Sequence, residues 1–323
     1  MLRVPGIRPY RQSTEEFRVD VFHRHQGGQT QKHLTRTHFV SGSTVERWYH
    51  DFVEDRVKEL QGRSCPLVLG IDEHFFSRKK GKARYATTFV DLRNHKVFDV
   101  VLGKYASDPE LKTFLEDLPG REKVRVVVMD MSTDYRRLVR KYFPNAMIVT
   151  DRFHVVRWIN HQFLNAWKQF DPEGRKNRKT LGLMRTHQWN LESYQQKKLD
   201  KYFEEHPELK ALYDFKQGLM QLMLNKTINQ KQAKDLVPQF LWHINECLKS
   251  PIEAFQELGK TLKSWKEPMV RMWRFSKSNG ITEGLHNAME VISRKAFGFK
   301  NFQNYRLRVI ALCGWDGVFV LRN

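Results

Sequence analysis

The sequence KVRVVVMDMSTDYRRLVRKYFPNAMIVTDRFH, at positions 123–154, contains two short apolar segments with a helical pattern between them. Val124–Met129 is a β-branched run of strand length that leads to Asp130, and Ala146–Val149 is a second such run that leads to Asp151. Between them, apolar residues recur at helical spacing until a proline stops the helix. Two buried strands joined by a helix predict a parallel pair. Crevices beyond the carboxyl ends of such strands are where α/β proteins place their sites.

The composition indicates a polyanionic partner. The chain has 56 Lys and Arg residues against 36 Asp and Glu, which gives a net charge of +20 and a pI near 9.9. A surplus of this size points first to nucleic acid. No apolar run approaches the ~20 residues that span a bilayer, and the first ten residues lack the apolar core of a signal peptide. We therefore expect a soluble cytoplasmic protein that binds DNA and no membrane.

The three cysteines, Cys65, Cys247 and Cys313, are far apart and show no CxxC spacing. They are typical of reduced intracellular thiols, which argues against a cysteine zinc site.

Residues 13–54 have the pattern of a small helical unit. Helical patterns on either side of Gly27-Gly28 are followed by a third, which opens after the Ser- and Thr-rich segment 41–44. Helix, turn and capped helix are the plan of a helix-turn-helix DNA-binding module, and a plain three-helix linker is the alternative. The candidate DNA contacts at the start of the third helix are Ser43, Thr44 and Arg47.

A β-rich block follows. Pro66–Ile71 is predicted as a strand that ends at Asp72, and Arg84–Asp91 and Lys96–Leu102 are predicted as the next two strands. With the helix predicted at 108–117, the order is β-β-β-α-β-α-β, in which the first three strands are antiparallel and the last two parallel. The basic tip between the first two strands suits phosphate contact, or is a solvated turn that keeps a sheet edge soluble. Its candidate residues are Arg78, Lys79, Lys80 and Lys82.

Positions 155–275 show no strand signal and are predicted to be helical throughout. Aromatic residues recur there at helical spacing, which is typical of core packing. The basic run at 175–179 is either a solvated face or a DNA contact.

A further helix is predicted after Gly280, with Glu283 on the face opposite its apolar stripe. The segment FGFKNFQNYRLR at 297–308 then interleaves aromatic with basic residues. That mixture suits a nucleic-acid backbone with base stacking, and a buried amphipathic ending explains the aromatic residues equally well. The basic candidates of this region are Arg294, Lys295, Lys300, Arg306 and Arg308.

Three acidic residues are candidates for one metal site. Phosphodiester cleavage by two divalent cations needs two or three carboxylates at one point. Asp72 and Asp130 are predicted at strand ends, and Glu283 on a helix that faces the same crevice. Taken singly, each has a simpler reading as a cap, turn or solvated residue. Asp151 and His154 lie one turn apart, and we interpret them as a structural or active-site support pair rather than as metal ligands.

At this point five strings resemble the ISL (type three) family of DDE transposases from bacterial insertion sequences. The resemblance spans roughly positions 12–315. The strings are GIDE at 70–73, VVMDMSTDY at 127–135, PNAMIVTDRFH at 144–154, SNGITEG at 278–284 and FGFKNFQNYR at 297–306.

The resemblance implies an α/β protein with an RNase H-like mixed sheet, interrupted by an all-α insertion domain and preceded by the helix-turn-helix unit. Asp72, Asp130 and Glu283 would be the catalytic acids and would hold two Mg²⁺ or Mn²⁺ ions. Asp151 and His154 would be the D-x-x-H signature. Family members usually carry a cysteine-rich zinc-binding domain ahead of the helix-turn-helix, whereas this sequence begins at Met1 without one. The predicted domains are 1–60 (helix-turn-helix region), 61–155 and 276–323 (catalytic domain) and 156–275 (insertion).

We therefore expect a DNA transposase that cleaves the element ends and transfers the strands into target DNA. Its partner would be double-stranded DNA, on which it would form a homodimer or a larger assembly, in the bacterial cytoplasm at the nucleoid. A non-catalytic DNA-binding regulator is one alternative. An RNase H-like nuclease or resolvase is another.

Overall fold

The computed structural model describes residues 12–60, 62–79, 81–275 and 280–315, without the side chain of Lys79. The strands in these ranges are β1 (Val68–Lys79), β2 (Lys82–Asp91), β3 (Lys96–Leu102), β4 (Val126–Met129) and β5 (Met147–Thr150). The helices up to the last strand are α1 (Glu15–Gln26), α2 (Gln31–His38), α3 (Gly42–Leu60), α4 (Pro109–Asp117) and α5 (Thr133–Tyr142). The later helices are α6 (Arg152–Phe170), α7 (Pro172–Lys176), α8 (Arg178–Arg185), α9 (Ser193–Glu205), α10 (Pro207–Met223), α11 (Gln230–Lys249), α12 (Glu253–Arg274), α13 (Gly280–Lys295) and α14 (Phe302–Cys313).

The five strands form one mixed sheet in the order β3-β2-β1-β4-β5. β4 pairs with β1 on one side and with β5 on the other, and both pairings are parallel. β2 and β3 are antiparallel. The predicted order of strands and helices in this region is therefore confirmed, as is the parallel pair that the two apolar runs indicated.

The first strand is longer than predicted. The prediction that it ends at Asp72 was wrong, because β1 continues to Lys79. Beyond Ile71 the strand loses β4 as a neighbour but keeps β2, so its backbone stays extended. Alternate residues then share one face, on which His74 is buried and Phe76 half-buried. Polar residues thus occupy a strand interior, where the sequence had indicated a strand end.

The basic hairpin tip is correspondingly short. Its turn contains Gly81, whose φ of +78° lies in the left-handed region that favours glycine. Arg78 and Lys82 are exposed at the strand ends beside it. Lys80 and the side chain of Lys79 lie outside the described residues.

Packing divides the chain into two compact units, one drawn from residues 1–66, 72–121 and 282–323 and the other from 67–71 and 122–281. In the first unit, α1, α2 and α3 share a core of Val21, Leu34, Val45 and Trp48. α1 and α3 also pack onto α14, where Phe22, Tyr49, Val53 and Ala311 form a second cluster. A third cluster, which includes Ala86, Val97, Val100, Met289, Tyr305 and Val309, joins β2 and β3 to α13 and α14.

The second unit contains β4, β5 and the helices from α5 to α12. Between residues 155 and 275 the structure contains helices and turns but no strand, as predicted. Half of the Phe, Trp and Tyr residues of this segment are buried core residues. Phe163, Trp167, Phe203 and Tyr213 belong to one buried cluster between α6, α9 and α10. The predicted domain boundaries remain predictions, since compact packing does not test them.

Candidate functional site

Three aspartates directly follow, in sequence, three residues that form one row of register partners across the sheet. Ile71 of β1 is the register partner of Met129 of β4, and Met129 is in turn the partner of Thr150 of β5. The next residues along the chain are Asp72, Asp130 and Asp151. Register partners in a parallel sheet point to the same face, and the residues that follow them start from equivalent positions. The parallel pairing therefore ends at the same level before each aspartate, although β1 itself continues to Lys79. The carboxyl ends of parallel strands are where α/β proteins bind ligands.

Asp72 is held by its own backbone and lies near a histidine. Its Oδ1 accepts a hydrogen bond from the backbone N–H of Glu73 at 2.8 Å. Its Oδ2 is 3.8 Å from Nδ1 of His286, which α13 supplies. Burial, together with the neighbouring His74, lowers the pKa of His286 to about 4. The imidazole is therefore neutral at pH 7.

The histidines beside Asp72 form a hydrogen-bonded cluster. Nε2 of His286 is 3.2 Å from Oγ1 of Thr88, and Nε2 of His74 is 2.8 Å from the hydroxyl of Tyr305. The two imidazole rings are 5.1 Å apart. Sequence reasoning missed His286, although its position three residues after Glu283, on the same helix, was an available signal.

Asp130 lies in the turn between β4 and α5. Its Oδ1 accepts a hydrogen bond from the backbone N–H of Ser132 at 3.1 Å, and the hydroxyl of Ser132 caps α5 by accepting from the N–H of Tyr135. Asp130 also lines a groove of about 810 Å³ that runs along α6. Asp130 is thus next to a space that is large enough for a ligand.

Asp151 and His154 pair with each other, as predicted from their spacing. Asp151 is 1% exposed and is the N-cap of α6, where its Oδ1 accepts from the N–H of Phe153 at 3.3 Å. Its Oδ2 is 2.6 Å from Nδ1 of His154. Both carboxylate oxygens therefore have hydrogen-bond partners within the protein.

Glu283 lies in the first turn of α13 and is exposed, as expected for the face opposite the apolar stripe. Within the described ranges, no three His, Cys, Asp or Glu side chains are placed so that they could hold a metal ion together. The motif SNGITEG and the basic hairpin tip both include residues outside those ranges. A metal site that includes Glu283 remains a prediction.

The basic candidates have different environments. Arg47 is exposed on α3 with Ser43, whose hydroxyl bonds to that of Ser41. Lys295 and Lys300 line a groove of about 610 Å³ that also contains residues of α2 and α3. Arg294 is an exposed residue within 3.6 Å of Glu290.

Two other arginines contact the protein itself. Arg306 makes two hydrogen bonds of 2.7 Å to the carboxylate of Asp99. The guanidinium of Arg308 lies 4.3 Å from the centre of the Tyr49 ring. Both arginines therefore have partners within their own unit, a role that the basic and aromatic pattern of 297–308 does not distinguish from DNA contact.

Comparison with known proteins gives two family matches. A model described as a transposase of the ISL3 type matches residues 69–309, and one described as the helix-turn-helix domain of transposase family ISL3 matches residues 2–53. None of the described helices is both long enough and apolar enough to cross a membrane.

Two curated proteins are similar to parts of the chain. The transposase for insertion sequence element IS1001 of Bordetella parapertussis is 26% identical over 253 residues, which are 75% of this chain and 60% of that protein. An ATP-dependent protease of Lactococcus lactis subsp. lactis is 33% identical over 58 residues, which are 18% of this chain and 19% of that protein. The chain thus spans less than two thirds of the length of either relative.

Proposed function

Because this chain belongs to the ISL3 family of transposases, we propose that it is the transposase of a bacterial insertion sequence. It would cut DNA at the ends of the element and join those ends to target DNA. The observation that carries the proposal is the register row Ile71–Met129–Thr150, which is followed by Asp72, Asp130 and Asp151. It supports a cluster of acids at one edge of the sheet, which phosphoryl transfer needs.

We assign the sheet to the RNase H-like class and residues 156–275 to an insertion in it. The order β-β-β-α-β-α-β and the parallel strands β1, β4 and β5 support the first assignment. The exclusively helical structure between α6 and α12 supports the second. Glu283, on α13, follows the insertion in the chain.

The donor atoms available at this edge fit a divalent cation. Carboxylate oxygens are the ligands that Mg²⁺ and Mn²⁺ prefer. Asp72 and Asp130 would hold two such ions, and Glu283, proposed from its motif, would complete the site. Bound there, the ions would supply activation of the attacking oxygen and stabilisation of the leaving oxygen.

The chain's own residues would orient the reaction. Asp72 and Asp130, anchored by hydrogen bonds from the backbone N–H groups of Glu73 and Ser132, present their carboxylates at fixed positions. Water would be the first nucleophile and the 3′-hydroxyl of the element end the second. No Tyr or Ser nucleophile is needed, because no covalent protein–DNA intermediate is proposed. The Asp151–His154 pair would support the start of α6.

DNA would be bound by both ends of the chain. The N-terminal part of α3, with the exposed Ser43 and Arg47 and the half-buried Thr44, is where a helix-turn-helix module contacts base edges and phosphates. Lys295 and Lys300, in the groove beside α2 and α3, would extend the phosphate contacts. Joining two ends requires at least a homodimer on DNA. Such a protein works in the bacterial cytoplasm, at the nucleoid.

The test is cleavage of a duplex that carries the ends of the element encoding this chain, with Mg²⁺ or Mn²⁺. The variants are Asp72→Asn, Asp130→Asn and Glu283→Gln, and the matched control is Asp134→Asn, an acid on α5 that only approaches Arg137 at 3.7 Å. Each of the three variants should lose cleavage by at least ~10³-fold, as expected for a residue that holds the reacting groups. DNA affinity and the control should be unchanged.

The same assay separates the alternatives. Cleavage without strand joining into a plasmid indicates a nuclease or resolvase. Metal-independent binding without cleavage indicates a regulator. Equal cleavage by wild type and Asp130→Asn overturns the proposed site.

A further inference from the structure

The groove along α6 contains a combination of residues that the proposed chemistry does not use. It has a volume of about 810 Å³ and begins at Asp130. The lining residues that matter below are Phe153, Arg157, Trp158, Asn160, His161 and Arg185. All of them lie in the second unit, on α6 or at the end of α8.

These side chains occupy one face of a helix whose other face is buried. Phe153, Arg157 and His161 follow each other at spacings of four, which places them on one side of α6. Leu164, one turn further on, also lines the groove but is buried in the core. The opposite side carries buried residues such as Val155, Ile159, Phe163 and Ala166. The part of this face from Phe153 to His161 is therefore not taken up by the core, although it carries aromatic groups.

The aromatic groups of this face are accessible to a flat ligand. Phe153 is 49% exposed, although phenylalanine is usually buried. The rings of Trp158 and His161 stack with their centres 5.6 Å apart and their planes 24° from parallel. They form a platform of the kind on which nucleobases stack.

The polar groups of the groove point to the same kind of ligand. Nε1 of Trp158 and Oδ1 of Asn160 are buried atoms with no hydrogen-bond partner among the described residues. Buried donors and acceptors are nearly always satisfied, by protein, water or ligand. Arg157 and Arg185 are exposed and have no acidic partner in the described part of the chain. The groove thus combines cationic groups and stacking faces, with two buried polar atoms beside them.

We propose that this groove binds unpaired nucleotides of the cleaved DNA strand next to Asp130, by stacking bases on Phe153 and Trp158 and by pairing phosphates with Arg157 and Arg185. Paired bases within a duplex are stacked on each other and offer no face to a side chain. Aromatic faces flanked by arginines therefore favour single-stranded over double-stranded DNA. The inference rests on the proposed function, because Asp130 matters here only as a catalytic residue.

The test measures binding without catalysis. Fluorescence anisotropy with a fluorescein-labelled single-stranded oligonucleotide, and with its duplex, is recorded on the full chain in EDTA, where no metal-dependent cutting occurs. Phe153→Ala should weaken single-strand affinity about tenfold, because one stacked base is worth roughly that much. Arg157→Gln, which removes the proposed phosphate contact, should weaken it by a similar factor. Both variants should weaken duplex affinity by less than about twofold. Trp158→Ala should do the same, and the two exposed-residue variants keep the test valid if it folds poorly.

The controls are Trp189→Ala and Arg137→Gln, which remove an exposed tryptophan and an exposed arginine of the same unit outside the groove. Both should bind like wild type. Equal losses for single strand and duplex, or no loss with the groove variants, would overturn the inference. The binding assay needs no cleavage, so it is independent of the cleavage assay on Asp130→Asn. If the groove variants lose single-strand affinity selectively while Asp130→Asn still cleaves DNA, the catalytic assignment is wrong and the groove remains a binding site.

Discussion

Oδ2 of Asp151 lies 2.6 Å from Nδ1 of His154, inside the first turn of α6. The same carboxylate caps the helix through the N–H of Phe153. An aspartate that uses one oxygen for a cap and the other for an imidazole holds a helix start in place. That geometry supports the interpretation of the pair as a support for the active site rather than as a metal site.

Asp151→Ala should lower the free energy of unfolding by about 2 kcal/mol, because it removes a cap worth ~1 kcal/mol and the hydrogen bond between the carboxylate and Nδ1 of His154. Asp151→Asn, which retains a capping oxygen, should recover about half of the loss. Thermal and urea unfolding measure both. Asp134→Ala, at an exposed position, is the control. An unchanged stability of Asp151→Ala combined with lost Mn²⁺ binding would instead identify a metal ligand.

Arg152, between the two members of that pair, connects three parts of the second unit. Its guanidinium donates to the carbonyl oxygens of Met223, Asn225 and Met272 at 3.0, 2.7 and 2.9 Å. Arg152→Lys should lower the free energy of unfolding by about 3 kcal/mol, because one ammonium group cannot reach all three carbonyls, two of which make buried hydrogen bonds. Arg157→Lys, on the exposed face of the same helix, should change it by less than ~0.5 kcal/mol. The melting temperatures of both variants are measured by calorimetry. Equal melting temperatures for Arg152→Lys and Arg157→Lys would show that the three hydrogen bonds are dispensable.

The strands show what the sequence can and cannot predict. Val126–Met129 is buried at every position, so its apolar run alone identified a central strand. The polar residues after Ile71 indicated a strand end, yet β1 continues, because β2 remains beside it. The buried His74 there bonds to Tyr305, a residue 231 positions away. A local pattern contains no information about such a partner.

In the candidate site, too, residues in local patterns were predicted and residues that depend on distant partners were not. The sequence predicted Asp130 and Asp151 because each follows a local apolar run, which the structure shows as a strand. It predicted Asp72 from a strand end that lies instead at Lys79, although Ile71, the residue before it, is in register with Met129. It did not predict His286 beside Asp72, or the carbonyl partners of Arg152, since those depend on helices that come much later in the chain. The role of each basic residue is the hardest to predict, because the same side chain can form an ion pair within the protein or contact a DNA phosphate.

Lys216 provides a pH-dependent prediction. It is buried in the helical core, where its Nζ donates to the carbonyl of Met184 at 2.6 Å, and burial lowers its pKa to about 7. The unfolded chain keeps the proton up to the ordinary lysine pKa of 10.5. The unfolded state therefore binds more protons between these values, and the free energy of unfolding should rise by about 2 kcal/mol between about pH 7 and pH 9 from this residue alone.

Lys216→Met should remove that rise and leave the stability at pH 7 unchanged or higher, because the apolar stem is replaced at similar volume. The difference in unfolding free energy between wild type and variant is measured at both pH values, which cancels the titration of other groups. Lys210→Met, at an exposed position of α10, is the control and should show no such difference. A slope that persists in Lys216→Met would assign it to another group.

Arg306 and Arg47 should separate stability from DNA binding. Arg306 is joined to Asp99 by two hydrogen bonds of 2.7 Å, and Asp99 also accepts from the N–H of Val100. Arg306→Gln should therefore lower the free energy of unfolding by about 2 kcal/mol, since it leaves a largely buried carboxylate without its charge partner. DNA affinity of the folded Arg306→Gln variant should stay within about twofold.

Arg47→Gln should leave the melting temperature unchanged and weaken duplex binding. The slope of log affinity against log salt concentration should become shallower by about one. Anisotropy titrations at several salt concentrations, on samples that circular dichroism shows to be folded, measure both. A shallower salt dependence for Arg306→Gln would mean that Arg306 leaves Asp99 to contact phosphate, and would support its prediction as a DNA-binding residue.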